Sequence, residues 1–349
     1  MRLMFVYYFY EYAGSARNIY YYSQAAGALG HEVVIHGPPN IHSSFRFSRD
    51  MESADAVVFL FEWTTDLRFG DHLDLARFLT EVPRERRIVI DCDGAYNDPL
   101  CVESDYNHRN ADASRMWIEI CDSLSDKICQ PTLHPLRPNV RPFLFYAYNA
   151  IEEMPLDLWG KGYGMVYVGH SKFRWRAMQR VLRAVEPIRP KIGRIGLIGD
   201  GWDTLPPWAA RMDMEDAYYT DHNYLRQLGI ETSPPIPFEE VIPWMGKAIF
   251  NPVIHRPLFE HLRLVNPRMF ETFAASTIPV FGPGSEHVEE IYGQRARELM
   301  LGHEGPDKIL DILARPERYI DIVKEIRCHL AEKHSHTARL KELIKIVDA

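Results

Sequence analysis

The feature that most constrains the fold is a regular alternation of short apolar runs with helical patterns. In the first half of the chain, the predicted strands read RLMFVYYF, HEVVIHG, ADAVVFLFEW and RRIVIDCDG, and helical patterns such as ARNIYYYSQAAGALG and DHLDLARFLTEV separate them. Apolar runs that lack polar alternation indicate strands buried on both faces, as in a parallel sheet covered by helices. The repeated order of strand, helix and strand predicts a doubly wound α/β fold.

The alternation is interrupted once and then restarts, which divides the chain. Residues 131–142 contain four prolines and no periodicity, so we predict a loop there, and we place a hinge within residues 152–164. Further strands follow, with the sequences GMVYVG, GRIGLIG, AIFNPVI and TIPVFG. We therefore predict two Rossmann-like, doubly wound domains that face each other across a cleft, over residues 1–155 and 156–330. A C-terminal helix over residues 331–349 could pack back on the first domain.

Length and charge agree with this division and argue against several classes of protein. A chain of 349 residues is long for one hydrophobic core, and its composition is that of a globular protein. Its formal charge of −8 argues against a large nucleic-acid footprint, which needs a basic surface, but is compatible with a local basic cleft. No run approaches the ~18 to 20 apolar residues of a spanning helix, and no secretory signal is recognisable. Five cysteines do not make a disulfide scaffold in a chain of this size, and the spacings of Cys92, Cys101, Cys121 and Cys129 match no zinc pattern. We therefore expect free thiols and a cytoplasmic protein.

Two domains of this kind would form a cleft that suits a phosphorylated ligand. In open parallel sheets, ligands bind outside the carboxyl ends of the strands, where loops and helix N-termini converge. Helix N-termini offer unpaired backbone N–H groups and the positive end of the helix dipole, so phosphates bind there. Each of the two facing domains would supply one surface of the site.

One stretch of the second domain, NPRMFETFAASTIPVF at residues 266–281, combines charged and apolar residues in an informative order. We predict a helix with Asn266 as its N-cap and Pro267 as its first residue. Arg268 and Glu271 are three residues apart and then share one face of the first turns. Such a helix end can place a cation near a phosphate and a carboxylate near the hydroxyl pair of a ribose. The alternative is an intrahelical ion pair exposed to solvent.

The same stretch resembles a known family. The sequence RLVNPRMFETFAASTIPVFG resembles the C-terminal motif of GT-B glycosyltransferases, roughly N-x-R-x-F-E-x-x-A-x-G-x-x-x-V, and is most similar to the CgeB-like spore-maturation branch related to family 4. The sequences GMVYVGHSKFRWRAMQRVL, GKAIFNPVIHR and CHLAEKHSHTARLKELIKIV extend the resemblance over residues 160–349. In the first half, AAGALGHEVVIHG looks like the first helix and second strand of such enzymes. The resemblance implies a transferase that uses a nucleoside diphosphate sugar as donor substrate.

The resemblance also implies roles for residues of the second domain. In that family, the glutamate that matches Glu271 binds the ribose, and basic residues after the first strand of the domain clamp the diphosphate. By position, the donor-binding candidates are Lys172, Arg174, Arg176, Gly199, Asn266, Arg268 and Glu271. A planar guanidinium can hold two phosphate oxygens at once, so Arg268 suits the diphosphate from the opposite side. The alternative for the basic residues after the strand is a solvated basic turn.

Two positions depart from the family motif. Family 4 enzymes carry a second glutamate eight residues before the ribose-binding one, and Arg263 stands there in this chain. His255 or Asn251 could take over its part in positioning the sugar. The family implies retention of the anomeric configuration, but Arg263 weakens that inference. Ser276 replaces the usual glycine at the helix end, which predicts strain in any left-handed turn there.

Candidates on the acceptor side come mainly from the first domain. The sequence DCDGAYND places Asp91, Asp93 and Asp98 at the carboxyl end of a predicted strand. Turn and N-cap chemistry is the favoured interpretation, an acceptor-binding or general-base carboxylate the second, and a metal-binding D-x-D motif the third. The D-x-D motif belongs to the GT-A fold, which is not built from two doubly wound domains. Further candidates for contact with a substrate are Tyr7, Tyr8, Tyr10, Tyr12, His108, Trp202 and Phe238.

Together these patterns predict a glycosyltransferase that works without a metal and moves a sugar to an unidentified acceptor. The predicted catalytic residues are Asp93, His255 and Arg268, and no metal ligands are predicted. The acceptor could be a saccharide, a lipid, a protein or a small molecule. Two alternatives remain open, namely a nucleotide-sugar epimerase on the same two-domain plan and a non-catalytic protein that binds nucleotide sugars.

Overall fold

Two parallel β-sheets organise the chain. The computed structural model describes residues 1–7, 14–37, 44–62, 75–98, 111–212, 214–282, 287–302 and 306–349. The first sheet consists of β1 (Arg2–Val6), β2 (Glu32–His36), β3 (Phe47–Ser48), β4 (Ala56–Phe61), β5 (Arg87–Asp91), β6 (Lys127–Gln130) and β7 (Val140–Pro142). Its strand order is β3-β2-β1-β4-β5-β6-β7, and every neighbouring pair is parallel.

The second sheet repeats the plan with fewer strands. It consists of β8 (Tyr163–Val168), β9 (Ile195–Ile198), β10 (Glu231–Ser233), β11 (Ala248–Val253) and β12 (Ile278–Phe281). The order is β10-β9-β8-β11-β12, again with parallel pairs throughout. The predicted α/β architecture of two Rossmann-like, doubly wound domains is therefore confirmed.

Helices connect and cover the strands. They are α1 (Gly14–Ala28), α2 (Leu75–Glu81), α3 (Ala111–Leu124), α4 (Trp175–Val185), α5 (Arg189–Ile192), α6 (His222–Gln227), α7 (Val241–Met245), α8 (Pro257–Leu262), α9 (Arg268–Ala274), α10 (Val288–Tyr292), α11 (Asp307–Ala314), α12 (Pro316–Lys333) and α13 (His336–Asp348). Every residue of β4 and β5 is buried, as expected for strands with apolar neighbours on both faces. None of the helices in the described part of the chain has the length and apolar character that crossing a membrane would require.

The structure corrects three local predictions. The stretch at 131–142, predicted as a loop, ends in β7, and Pro142 is tolerated because β7 is an edge strand. Helix α9 begins at Arg268, so Pro267, and not Asn266, precedes its first residue. At the end of α9, Ala275 is extended, with φ of −72° and ψ of 153°, so the left-handed turn considered at Ser276 does not form.

Close contacts join the two halves of the chain. Gly94, with φ of +74°, lies so near Leu262 that a Cβ atom there would be 2.4 Å from Leu262 Cδ1. The C-terminal helix α13 packs on α1, where His336 Nε2 lies 2.8 Å from Asn18 Oδ1. The loops at the carboxyl edge of the first sheet therefore lie against the second half. The domain limits at residues 155 and 330 stay a prediction.

Candidate functional site

The loop after β8 is held against the loop after β9 by backbone contacts. The N–H of Gly169 donates to Ile198 O at 2.8 Å. The N–H of Ser171 donates to Asp200 O at the same distance. Gly199 lets the loops touch, because a Cβ atom there would lie 2.4 Å from Gly169 O. The two strand ends therefore form one connected platform at the carboxyl edge of the second sheet.

Replacing Gly199 with alanine is expected to destabilise the protein by about 1 to 3 kcal/mol, the usual range for overpacking. The added methyl group would meet backbone atoms, and the φ of +139° is rarely adopted by L residues. Thermal or denaturant unfolding measures the loss. Gly162→Ala is the matched control, because a Cβ atom at Gly162 meets nothing within 4 Å. If both variants matched the wild-type stability, the contact between the two loops would not be as close as described.

The residue between two basic candidates has a strained backbone. Phe173 has a left-handed φ of 57°, which is uncommon for a bulky residue and often marks a functional loop. Its N–H donates to Ala217 O at 2.6 Å, and its ring packs against the small apolar cluster that contains Tyr218. Next to it, Arg174 Nη1 donates to Lys172 O at 3.1 Å. These contacts fix the backbone of the loop and the side chain of Arg174 at the start of α4.

Helix α9 carries the charged pair that its sequence predicts on one face. Arg268 Nη1 lies 2.9 Å from Glu271 Oε2, and the two side chains are only 23% and 11% exposed. The pair is therefore largely buried rather than exposed to solvent. Among the described residues, neither of the two atoms has a partner that satisfies hydrogen-bond geometry. Both keep the capacity to bond to a ligand, which makes this pair a candidate binding element.

Cations from the β8 loop and from α9 meet around His170. Burial lowers the pKa of His170 to about 4, and nearby positive charges add to the shift. Those charges belong to Arg174, Arg268 and Lys172. The Nδ1 atom of His170 accepts a hydrogen bond from the N–H of Asp200 at 3.1 Å, so the neutral ring carries its proton on Nε2. The second half of the chain thus concentrates fixed positive charge at one point.

His255 follows β11 and is buried beside this cluster. Burial, together with the charges of His287 and Arg174, lowers the pKa of His255 to about 3. Its Nδ1 atom lies 3.1 Å from Asn266 Nδ2, which donates to it. The Nε2 atom then carries the proton and has no hydrogen-bond partner within the described residues. His255 is therefore a neutral hydrogen-bond donor and a poor proton acceptor near neutral pH.

A cavity between the two halves borders the site. Its walls include Gly14 and Arg17 from the start of α1, Tyr146, and also Pro267 and Glu271 from the start of α9. The approach is close, because a Cβ atom at Gly14 would lie 2.5 Å from Pro267 Cγ. The carboxylate predicted to bind ribose thus lies in the wall of a cavity that both halves enclose.

Arg17 reaches across from α1 to the second half. Its Nη1 atom donates to Phe238 O at 3.2 Å, and its guanidinium carbon lies 4.7 Å from the centre of the Phe238 ring. Arg17 is also ion-paired with Glu152. Phe238, a sequence-predicted candidate for contact with a substrate, therefore lies beside a residue that lines the cavity between the halves.

The three aspartates of DCDGAYND have different roles. The carboxylate of Asp91 accepts from the N–H groups of Ala95 and Tyr96, at 3.0 and 2.8 Å, so it shapes the turn. Gln130 Nε2 also donates to it at 2.8 Å, and burial raises the pKa of Asp91. This is the turn chemistry that the sequence favours.

The other two aspartates are ion-paired, but only one of them approaches the second half. Asp98 is exposed and pairs with Arg137 at 2.8 Å. Asp93 lies nearer the site, where Arg256 Nη2 is 3.8 Å from Asp93 Oδ1 and donates to the main-chain oxygen of Asp93 at 3.3 Å. Arg256 belongs to the second half, next to His255. Asp93 is therefore the aspartate of this stretch that contacts the second half through its ion pair.

Sequence reasoning missed one carboxylate, Glu62, which directly follows β4. Tyr7 Oη donates to Glu62 Oε2 at 3.1 Å, and Tyr146 Oη donates to Glu62 Oε1 at 3.2 Å. Burial is the main cause that raises the pKa of Glu62 to about 7, although the hydroxyl groups of Ser15, Tyr7 and Tyr146 oppose it. The available signal was a single acidic residue at the end of the wholly apolar run AVVFLF.

The structure brings most of the predicted donor-side residues together. The residues around the cationic cluster and the start of α9 are Lys172, Arg174, His255, Asn266, Arg268 and Glu271. Arg176, by contrast, is exposed on α4. Trp202 is fully buried and donates from Nε1 to Gly169 O at 2.7 Å, so it supports the loop rather than lining the cleft. Four further candidates lie outside the described residues: Tyr8, Tyr10, Tyr12 and His108.

Comparison with known proteins identifies the architecture. No family model and no curated protein matches the chain. Among solved structures, T4 phage BGT in complex with UDP-glucose matches with a TM-score of 0.61 and 12% identity, over 100% of both chains. An alpha-glucosyltransferase bound to UDP and a 13-mer DNA matches with a TM-score of 0.64 and 13% identity, over 100% of this chain and 99% of the other. The fold is GT-B.

At these identities, the likeness shows the GT-B fold alone. A further GT-B neighbour, T4 phage BGT in complex with UDP and Mn²⁺, has a TM-score of 0.61 and 13% identity over the full length of both chains. In the present chain, no group of three or more His, Cys, Asp or Glu residues among those described is arranged to hold a metal ion.

Proposed function

We propose that this protein is a glycosyltransferase that moves a sugar from a nucleoside diphosphate sugar to the hydroxyl group of an acceptor. The observation that carries the proposal is the convergence of Lys172, Arg174 and Arg268 around His170. Beside it, the largely buried Arg268–Glu271 pair keeps atoms that have no hydrogen-bond partner in the part of the chain that the structure describes. A diphosphate would meet fixed cations, and its ribose would meet a carboxylate. The solved structures with UDP-glucose and UDP support this choice of donor.

The cationic cluster also suits the chemistry of the leaving group. When the bond between the anomeric carbon and the diphosphate breaks, negative charge develops on the diphosphate. Preorganised cations stabilise such charge without rearrangement, which is a large source of catalysis. His255, a neutral donor through Nε2, would bond to a sugar or phosphate oxygen and would not exchange protons. We propose that these groups work without a metal ion, so chelation by EDTA should leave transfer unchanged.

The acceptor is proposed to bind the first half of the chain, near Asp93 and Glu62. The net charge of −8 argues against nucleic acid, whereas one structural neighbour was solved with DNA and another is described as a DNA-modifying enzyme. DNA therefore belongs in the acceptor panel beside saccharides, lipids, proteins and small molecules. The CgeB-like assignment rests on the motif in RLVNPRMFETFAASTIPVFG and is proposed on that basis.

The stereochemical outcome is a separate question. Retention, as implied by the family resemblance, is weakened by Arg263 at the position of the second glutamate. The structural neighbours include one named alpha-glucosyltransferase and one named beta-glucosyltransferase. The GT-B fold is thus compatible with either product, and the outcome depends on the groups around the acceptor.

A binding and turnover assay with defined nucleotides tests the proposal. Thermal unfolding is followed with UDP, UDP-glucose, GDP and GDP-mannose, and bound donors are then incubated with and without the acceptor panel. A transferase is stabilised by its nucleotide and releases the nucleoside diphosphate. An epimerase instead converts the donor sugar without releasing diphosphate, and a binding protein is stabilised but converts nothing. If no nucleotide raises the unfolding temperature, the proposed function is wrong.

Replacing Glu271 with alanine is expected to weaken binding of the nucleoside diphosphate by about 1 to 3 kcal/mol, the usual effect of losing a charged hydrogen bond. The reason is that Glu271 would accept hydrogen bonds from the ribose hydroxyls. Isothermal titration calorimetry measures the change with UDP. A 2′,3′-dideoxy nucleotide is the matched control, because it should bind the wild type and Glu271→Ala equally. Unchanged affinity for UDP would remove Glu271 from the ribose site.

A further inference from the structure

A network of hydroxyl groups encloses Glu62 at the carboxyl edge of the first sheet. Tyr7 comes from the end of β1, Glu62 from the end of β4, and Ser15 from the first turn of α1. Tyr146 contacts both Glu62 and Ser15, since its Oη atom donates to Glu62 Oε1 and lies 3.1 Å from Ser15 Oγ. Tyr146 also lines the cavity that contains Glu271. Glu62 is thus one hydroxyl group away from the cavity between the two halves.

Glu62 and Asp93 are close enough for the charge of Asp93 to affect the pKa of Glu62, but the two carboxylates have different surroundings. The charge of Asp93 is one cause of the raised pKa of Glu62. Asp93 has a cationic partner in Arg256. Within the described residues, Glu62 forms no ion pair, and hydroxyl groups are its hydrogen-bond partners. Two neighbouring carboxylates in different environments commonly divide the tasks of an active site between them.

We propose that Glu62 is the general base that takes the proton from the acceptor hydroxyl, a role that rests on the proposed transferase function. In this step, the Glu62 carboxylate accepts the O–H proton and becomes a neutral carboxylic acid. The acceptor oxygen forms a bond to the anomeric carbon, and the bond from that carbon to the diphosphate oxygen breaks. The electron pair of the broken bond leaves with the diphosphate, beside the cationic cluster. Asp93, held by Arg256, positions the acceptor.

The placement of Glu62 also commits the reaction to one stereochemical outcome. The general base belongs to the first half, whereas the cations for the leaving group belong to the second half. The acceptor oxygen and the leaving oxygen then lie on opposite sides of the anomeric carbon. Direct displacement from the opposite side inverts the configuration. This differs from the retention that the family resemblance implies.

The groups that face Glu62 fix the direction of its pH dependence. Burial and the Asp93 charge raise the pKa of Glu62, hydrogen bonds from Ser15, Tyr7 and Tyr146 lower it, and the result is a pKa of about 7. Cys92 from the end of β5 also faces this network, and burial raises the pKa of that thiol well above its usual value, so it stays neutral. A base must be ionised to accept a proton, so turnover should rise with pH and level off above about 7.

The first test uses hydrolysis of UDP-glucose, in which water replaces the unidentified acceptor. The wild type should release UDP with a rate that rises through pH 7, and the first glucose anomer formed, observed by NMR, should be the inverted one. Glu62→Gln should lower turnover by about 10²- to 10⁴-fold, the usual contribution of a general base, and abolish the pH dependence. The affinity for UDP, measured by calorimetry, should stay unchanged because Glu62 is not in the diphosphate site.

Two further variants distinguish catalysis by Glu62 from a structural role. Glu62→Ala should recover turnover with sodium azide, because azide has no proton to lose, and should form the glucosyl azide of inverted configuration. Tyr7→Phe should shift the rise to higher pH, because the loss of this hydrogen bond raises the pKa of Glu62. A merely structural carboxylate would give neither effect.

The possible outcomes separate this inference from the proposed function. Asp93→Asn should keep the rise but move it to lower pH, whatever its effect on turnover, because the Asp93 charge no longer raises the pKa of Glu62. If that rise disappears in Asp93→Asn but persists in Glu62→Gln, the base is Asp93 and the inference is overturned. A retained configuration, or no azide recovery in Glu62→Ala, overturns it as well, while the transferase function stands. If the wild type neither binds nor hydrolyses UDP-glucose and no other nucleotide sugar replaces it, both fail together.

Discussion

Replacing Arg268 with alanine is expected to lower turnover of the donor by about 10²- to 10³-fold, the usual effect of removing one preorganised charge donor at a developing anion. Arg268 is the cation of α9 that lowers the pKa of His170 in the β8 loop, and its Nη1 atom lies 2.9 Å from Glu271 Oε2. Its loss removes stabilisation of the leaving diphosphate and leaves the Glu271 carboxylate without its partner. Steady-state release of UDP from UDP-glucose measures the change, and Arg268→Lys should be intermediate because lysine keeps the charge but loses the bidentate geometry.

A matched control and an independent readout accompany this variant. Arg183→Ala removes the same charge from the exposed end of α4 and should leave turnover unchanged. In Arg268→Ala, the pKa of His170 should rise from about 4 toward its usual value, because a nearby positive charge has been removed. Histidine NMR titration measures this shift. Turnover within a few-fold of the wild type, or an unchanged His170 pKa, would contradict the cationic cluster.

The main elements of the fold could be predicted because long, buried strands leave a strong pattern. Every residue of β4 (Ala56–Phe61) is buried, and its sequence is an unbroken apolar run. The edge strands β3, β7 and β10 were missed or predicted as loop, because a strand of two or three residues is too short to show a hydrophobic period. Phe173 and Arg263 have a left-handed backbone conformation although neither is glycine. The sequence carries no signal for this conformation, which depends on the packing around the two residues.

The grouping of the proposed donor-side residues could be predicted because they follow strand ends in short motifs. Lys172 and Arg174 come directly after β8, and the Arg268–Glu271 pair lies in one turn. The acceptor side gave no such motif, since Ser15 and Tyr146 are separated by 131 residues and meet only in the folded chain. Glu62 could not be predicted from a motif either, because its raised pKa comes mainly from burial in the folded chain.

Replacing Glu62 with glutamine is expected to stabilise the folded protein at pH 8, although most substitutions in a hydrogen-bond network destabilise. Folding raises the pKa of Glu62 from 4.5 to about 7. One pKa unit corresponds to about 1.4 kcal/mol, so the ionised carboxylate destabilises the folded state by up to about 3 kcal/mol. Glutamine keeps an oxygen that accepts from Tyr7 or Tyr146 and has no charge to bury.

The sign of this effect depends on pH, and that dependence makes the prediction testable. The folded protein binds the Glu62 proton more tightly than the unfolded chain does. The stability that protonated Glu62 contributes is therefore fully present below about pH 4.5 and is lost as pH rises through about 7. Urea unfolding at pH 5 and pH 8 should therefore show that the advantage of Glu62→Gln grows with pH. A variant that is equally destabilised at both values would mean that Glu62 serves the fold. A variant that is more stable but inactive would mean that the chain keeps a buried carboxylate for its chemistry, in line with the trade-off between stability and activity at catalytic sites.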